Sequence, residues 1–157
     1  MNSFDILKSL FYEIPQVFAS INGQGIYGMM SAYPYLDGSL VMVEVFGLPE
    51  SQCDQGIYAL HIHQGNSCIG DAQDPYKNVG PHFSLNDCPH PYHTGDLPPL
   101  FSNQGYAWQC FYTDKFAPNQ IVNHTIIIHE KVDDFTSQPA GNAGKKIACG
   151  VIKILAC

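Results

Sequence analysis

The chain has 157 residues, 45% of them hydrophobic, 12% aromatic and 13% charged, with a formal charge of −7. That length and composition suit one globular domain with a buried core, and no stretch is long and apolar enough to span a membrane as a helix. All 7 strong cations are lysines. An acidic, arginine-free surface argues against nucleic acid, so neither nucleic acid nor a membrane is expected as a partner.

At the start of the chain, MNSFDILKSLFYEI sets Phe4, Leu7, Leu10 and Phe11 at helical spacing behind Ser3 as a cap. This predicts a short N-terminal amphipathic helix over 1–14 ahead of one domain over 15–157. Asp5 and Lys8 interrupt the apolar run and no small-residue cleavage site follows, so the segment does not read as a secretory signal. The expectation is a cytoplasmic protein if the chain is complete, and a secreted or envelope protein if a leader has been trimmed.

From Gln16 onward the pattern changes to short alternating runs: QVFASING, GIYGMMSAYPYL, GSLVMVEVFGLP, GIYALHIHQG, GYAWQCFYTD, HTIIIHEKVDD and KIACGVIKILA. Turn residues at Asn22-Gly23, Asp37-Gly38 and Gly47-Leu48-Pro49 cut them apart. They predict about seven or eight strands in an all-β fold, an antiparallel Greek-key sandwich or barrel. Residues 65–100 and 133–145 break the pattern with Gly, Asn, Asp and Pro. Two loops of that length in a compact domain usually carry function.

Within GIYALHIHQG, His61 and His63 share one face of a strand while Leu60 and Ile62 share the other. Two imidazoles on one face are either satisfied by local hydrogen bonds or present two nitrogens to one metal ion. His82, His90 and His93 follow in the first loop, and His129 closes the run TIIIH. CPHPYHTGD places His90, His93 and Asp96 at successive intervals of three residues, in a segment whose prolines forbid a regular helix, so these donors would converge through a turn. With His82 as a fourth donor, three nitrogens and a carboxylate suit tetrahedral zinc, and His61, His63 and His129 leave an all-imidazole set that suits copper. The 6 cysteines allow up to three disulfides; without a CxxC pair, a thiolate zinc site is the weaker reading.

The pieces VEVFGLP, HIHQGNSC, GPHF, HTGDLP, IIIHEKVDD and GNAGKKIACGVI occur in this order over most of residues 15–157. In them the chain resembles the copper/zinc superoxide dismutase family, as a bacterial-type member. The resemblance implies copper on His61, His63, His82 and His129, and zinc on His82, His90, His93 and Asp96. His82 would then bridge the two metals and carry a proton to the developing peroxide. It further implies that Asp133 orients ligand histidines of both sites, where the residues alone would read Asp133 as a turn residue closing a strand. Cys68 and Cys149 match the family's disulfide, which would tie the first loop to the ACGVI strand. The activity implied is antioxidant: superoxide taken to dioxygen and hydrogen peroxide by copper redox cycling.

Several positions depart from the family pattern. Three residues before the second disulfide cysteine the family usually has an arginine, and here the residue is Lys146. Lysine keeps the catalytic charge and loses the planar fork, so weaker positioning of the anion is expected. Lys131 and Lys145 either add to the field or are solvated surface charges. His90 precedes His93 by three residues, a shorter excursion than is usual in the family. Cys88 is expected in a second disulfide with an unnamed partner, and His124 is assigned no metal. The competing readings are a non-catalytic dismutase-like protein that stores or delivers copper, and a zinc hydrolase on His90, His93 and Asp96, which lacks an evident general base. Sandwich interfaces carry no motif, so monomer and homodimer both stay open.

Overall fold

Alternation of apolar and polar residues decides which side of each strand is buried. In the computed structural model, which describes residues 13–50 and 56–155 together with Asp5, this produces nine strands. They are β1 (Val17–Gly23), β2 (Tyr27–Tyr35), β3 (Gly38–Phe46), β4 (Ile57–His63), β5 (Asp96–Phe101), β6 (Ala107–Thr113), β7 (Thr125–His129), β8 (Lys146–Val151) and β9 (Lys153–Ile154). Two 3-10 turns, Lys77–Val79 and Pro118–Ile121, lie in the connections. The sheet runs β5-β4-β7-β8-β1-β2-β3-β6, with β9 against β1, and every pairing is antiparallel. Its two ends approach each other, and the Gln109 side chain donates to the Pro98 carbonyl at 3.2 Å. The result is a nearly closed Greek-key barrel, with crossovers from β3 to β4 and from β6 to β7.

Inside the barrel lie Val17, Ala19 and Ile21 of β1, Val41, Val43 and Val45 of β3, Leu60 and Ile62 of β4, and Ile126 and Ile128 of β7. The opposite face of β4 and β7 carries His61, His63, Ile127 and His129, and it is buried as well. Residues 64–95 and 130–145 fold over that outer wall and close it. Val79 and Tyr76 from the first of these loops pack with Ile127, Cys68 and Cys149. The histidine wall is therefore roofed by the two loops and not by a second sheet.

The expected loop over 65–100 ends in a strand, β5, whose sequence DLPPLF hides it behind two prolines. Proline cannot donate to a ladder, but β5 is the terminal strand of the sheet order, and its ladder with β4 shifts register between Tyr58 and Leu60, opposite the two prolines. The last predicted run is divided into β8 and β9, with Ile152 between them. Residues 1–4 and 6–12, most of the expected N-terminal helix, lie outside the described residues. Among the described residues no helix is long and apolar enough to cross a membrane.

Candidate metal centre

The strand ladder places His61 and His63 side by side on β4, next to β7, which ends in His129. His82 enters from the loop and forms an isolated bridge with His63. One donor atom from each of His61, His63, His82 and His129 lies within 4.8 Å of the others, and all four residues are buried. In a second group, His82, His90, His93 and Asp96, the donor atoms lie within the same distance, with His93 partly exposed and the other three buried. His82 belongs to both.

In most of these rings one nitrogen is already engaged, which leaves the other bare. His61 Nε2 donates to Asp133 Oδ2 at 2.8 Å, and His61 Nδ1 is buried with no partner. His90 Nε2 donates to Asp133 Oδ1 at 2.8 Å, and its Nδ1 is likewise unpartnered, lying 3.2 Å from Asp96 Oδ2 without the alignment of a hydrogen bond. His63 Nδ1 donates to the Gly80 carbonyl at 2.8 Å, and His129 Nδ1 to the Gly144 carbonyl at 3.3 Å. Their two Nε2 atoms are left facing each other at 3.3 Å. His82 Nδ1 lies 2.7 Å from Asp96 Oδ1, with its Nε2 buried and unpartnered. Opposed lone pairs in a buried wall are costly unless a cation sits between them, and outer acceptors that fix the tautomer are the usual surroundings of ligating imidazoles. The donor set therefore fits two metal ions that share His82: an all-nitrogen group, and a group of three nitrogens and one carboxylate.

Burial pushes His63 down to about 2 against the opposing pull of the Gly80 carbonyl. Burial, helped by the charge of His61, pushes His129 down to about 3. His61 is lowered in the same direction, again chiefly by burial. These rings are thus neutral at pH 7, which is the form that ligates. Burial alone would raise Asp96 and Asp133. Hydrogen bonds and charge from His82 outweigh it at Asp96, as bonds from His61, Phe135 and His90 do at Asp133, so both carboxyls stay below their ordinary range.

Asp133 and the loop that carries His90 and His93 are held by residues that no motif marked. Gly141 has φ +63, and a Cβ there would fall 1.9 Å from Asp133 Oδ1, so only glycine lets the loop pass this close. Gln138 accepts from the His90 amide at 3.1 Å and donates to the His90 carbonyl at 2.6 Å, joining the two loops. Lys115, beyond β6, donates to the carbonyls of His93 and Asp96 at 3.1 and 3.0 Å. The compact loop between His90 and His93 brings both rings to Asp96 despite its shortness. Cys68 and Cys149 are disulfide-bonded. Cys88, in contrast to expectation, is a free, exposed thiol. Its loop is held instead by Thr94, which accepts from the Leu85 amide at 2.8 Å, and by Asn86, which donates to the Tyr92 carbonyl at 3.2 Å. His124 is outside both groups: it donates to the Gln64 carbonyl at 2.8 Å and packs on Phe83.

Lys146 pairs with His129 across the β7–β8 ladder. A cleft of about 320 Å³ lies over His129 and is bounded by Ser137, Asn142 and Gly144. At Gly144 it meets a cleft of about 640 Å³ that holds Asp74, Glu130, Lys145 and Lys146.

Residues 35–152 match the family Copper/zinc superoxide dismutase (SODC). A copper/zinc superoxide dismutase of Deinococcus radiodurans is 31% identical over 148 residues, covering 83% of this chain and 79% of that protein. The copper/zinc superoxide dismutase 2 of Aquifex aeolicus is 29% identical over 85% of this chain and 83% of its own. The extracellular copper/zinc superoxide dismutase of Rattus norvegicus is 29% identical over 68% of this chain, which spans 45% of that longer protein. In structure the fold matches a solved double mutant of a SOD-like protein from Bacillus subtilis, with a TM-score of 0.71 at 22% identity over 85% of this chain and 94% of that one. With the match to the family covering most of the chain and two paired donor groups waiting on one wall of the barrel, the chain belongs to the copper/zinc superoxide dismutase family and takes copper and zinc as its cofactors.

Proposed function

We propose that the protein is a superoxide dismutase, with its catalytic domain over 15–157 and residues 1–14 as an extension. The observation that carries this reading is the shared imidazole: His82 is common to the two donor groups, with Nδ1 against Asp96 and Nε2 buried without a partner. Copper is held by His61, His63, His82 and His129, and zinc by His82, His90, His93 and Asp96. When bound, copper supplies the one-electron exchange that oxidises one superoxide to dioxygen and reduces the next to hydrogen peroxide. The chain's own part is to hold, orient and protonate. His82 Nε2 would take up a proton from water in the first half-reaction and yield it to the peroxide in the second, when water supplies the second proton directly. Asp133 fixes the ring directions of His61 and His90 from behind. Burial of His61, His63 and His82 keeps water off the inner side of the site, and the cleft over His129 is the side from which a small anion enters. Lys146 is the positive end of that entrance.

A second reading, a dismutase-like protein that holds copper without turnover, is favoured by one observation: the ammonium beside His129 is already paired with Asp74. Superoxide decay after pulse radiolysis separates the two, using protein loaded with one copper and one zinc and a His129→Ala control. The dismutase reading expects a second-order rate approaching about 10⁸ to 10⁹ M⁻¹s⁻¹ that is lost in the control. Decay no faster than the control's would leave the copper-holding role.

A further inference from the structure

Lys146 does not stand alone at the entrance. Its ammonium is bonded to Asp74 Oδ2, on the loop that follows β4. That carboxylate is placed by a built turn. Asp71 Oδ1 accepts from the amides of Gln73 and Asp74 at 3.0 and 2.9 Å, the Asp71 amide donates to the Asp74 carbonyl at 2.9 Å, and Asp74 Oδ1 accepts from the Tyr76 amide at 3.1 Å. Gly70 belongs to the same turn, because a Cβ there would fall 2.0 Å from the Asp74 carbonyl oxygen. One oxygen of Asp74 thus fixes the turn while the other is left for Lys146. The neighbouring cation, Lys77, is engaged by Asp71 at 2.9 Å. Asp74 is held below the ordinary carboxylate range, first of all by its bond to Lys146, so it faces the ammonium as a carboxylate at neutral pH.

The wider cleft holds two lysines, Lys145 and Lys146, and two acids, Asp74 and Glu130, so its formal charges cancel. An ammonium joined to a carboxylate presents a dipole to an approaching ion, and a dipole's field falls off faster with distance than that of a single charge. Capture of an anion depends on the field over roughly a Debye length, about 8 to 10 Å at physiological salt. Resting on the dismutase reading above, the geometry points to Asp74 as a positioning residue that ties down Lys146 and attenuates the attraction of small monovalent anions to the copper entrance. No sequence motif singles it out, and it acts through Lys146 without touching a metal ligand.

Azide, a small monovalent anion, provides a readout that needs no turnover: its affinity for the copper(II) and zinc-loaded protein is measured by optical titration. Asp74→Asn keeps an oxygen for the Tyr76 amide and removes the charge. Asp74→Ser does the same with a different side chain, and Asp74→Glu returns the carboxylate. The expected result is azide binding tighter by about threefold in the Asn and Ser variants at low ionic strength, a steeper loss of affinity as salt is added, and wild-type behaviour in the Glu variant. Unchanged or weaker azide binding in the first two variants would overturn the inference, since Asp74 would then be presenting Lys146 to the anion. The two readings fail separately. Tighter azide binding in protein that does not speed superoxide decay removes the dismutase and keeps the role of Asp74, whereas fast decay with unmoved azide affinity removes the role of Asp74 alone.

Discussion

Asp133 is a side chain on which both donor groups lean. Its two oxygens are divided, one to His61 and one to His90, and it also accepts from the Phe135 amide at 2.7 Å through the oxygen that serves His90. Replacing it with Asn puts an amide donor where one of two ring N–H groups must be accepted, so one ring has to turn or lose its bond. Asp133→Asn is therefore expected to weaken both copper and zinc, each by about 10- to 100-fold, as seen when outer partners of metal-binding histidines are removed. Competition with a chromophoric chelator measures each affinity, and a variant that loses zinc alone would show that His61 does not depend on this carboxylate. The histidines and Asp133 were legible because ligand spacing and family order mark them. Asp74 was not, since an acidic residue in a turn-rich loop reads like any solvated charge, and its partner is fixed only when the loop folds back onto β8. The acceptors Gly80 and Gly144 were equally hidden, because they act through backbone carbonyls that any residue carries.

At the scale of elements, the second donor group is a property of how β5 begins. Asp96 is the first residue of β5 and pairs with His61 in the β4 ladder, so the strand edge itself delivers the carboxylate to the histidines. Reading two prolines as loop missed this strand, which takes them at the edge of the sheet through a bulge, where Pro98 and Pro99 stand opposite Ala59 alone. The start of β5 is then held from the far end of the barrel sheet by Lys115, whose ammonium binds the carbonyls of His93 and Asp96. Lys115→Met keeps the aliphatic stem and removes those bonds. The turn from His93 to Asp96 should loosen, with zinc affinity falling by up to about tenfold and copper affinity unchanged. Isothermal titration with each metal checks this, and an equal loss of both would mean that Lys115 supports the whole wall and not the second group.

On the scale of the molecule, the fold keeps an uncharged imidazole wall buried, and that choice links stability to pH. His63 and His129 are held at about 2 and about 3, and His61 is lowered too, each chiefly by burial, whereas an unfolded chain protonates its histidines near pH 6.5. Between those values the unfolded state binds protons that the native state refuses, so stability rises with pH there. The contribution is complete above about pH 6.5 and is lost as pH falls toward the folded values, by up to about 1.4 kcal/mol per pH unit for each ring. Asp96 and Asp133 act with the same sign in a lower window, below about pH 4, where an unfolded carboxylate takes up its proton and the native one does not. Urea unfolding of the metal-free protein should therefore show a plateau above about pH 7 and a decline through pH 6 and 5, above the window in which Asp96 and Asp133 act. Bound copper and zinc stabilise only the folded, deprotonated ligands, so the loaded protein should hold its plateau to lower pH. Metal-free protein as stable at pH 5 as at pH 7.5 would mean that the wall opens and accepts protons without unfolding, and the roof formed by the two loops would then be a hinged cover.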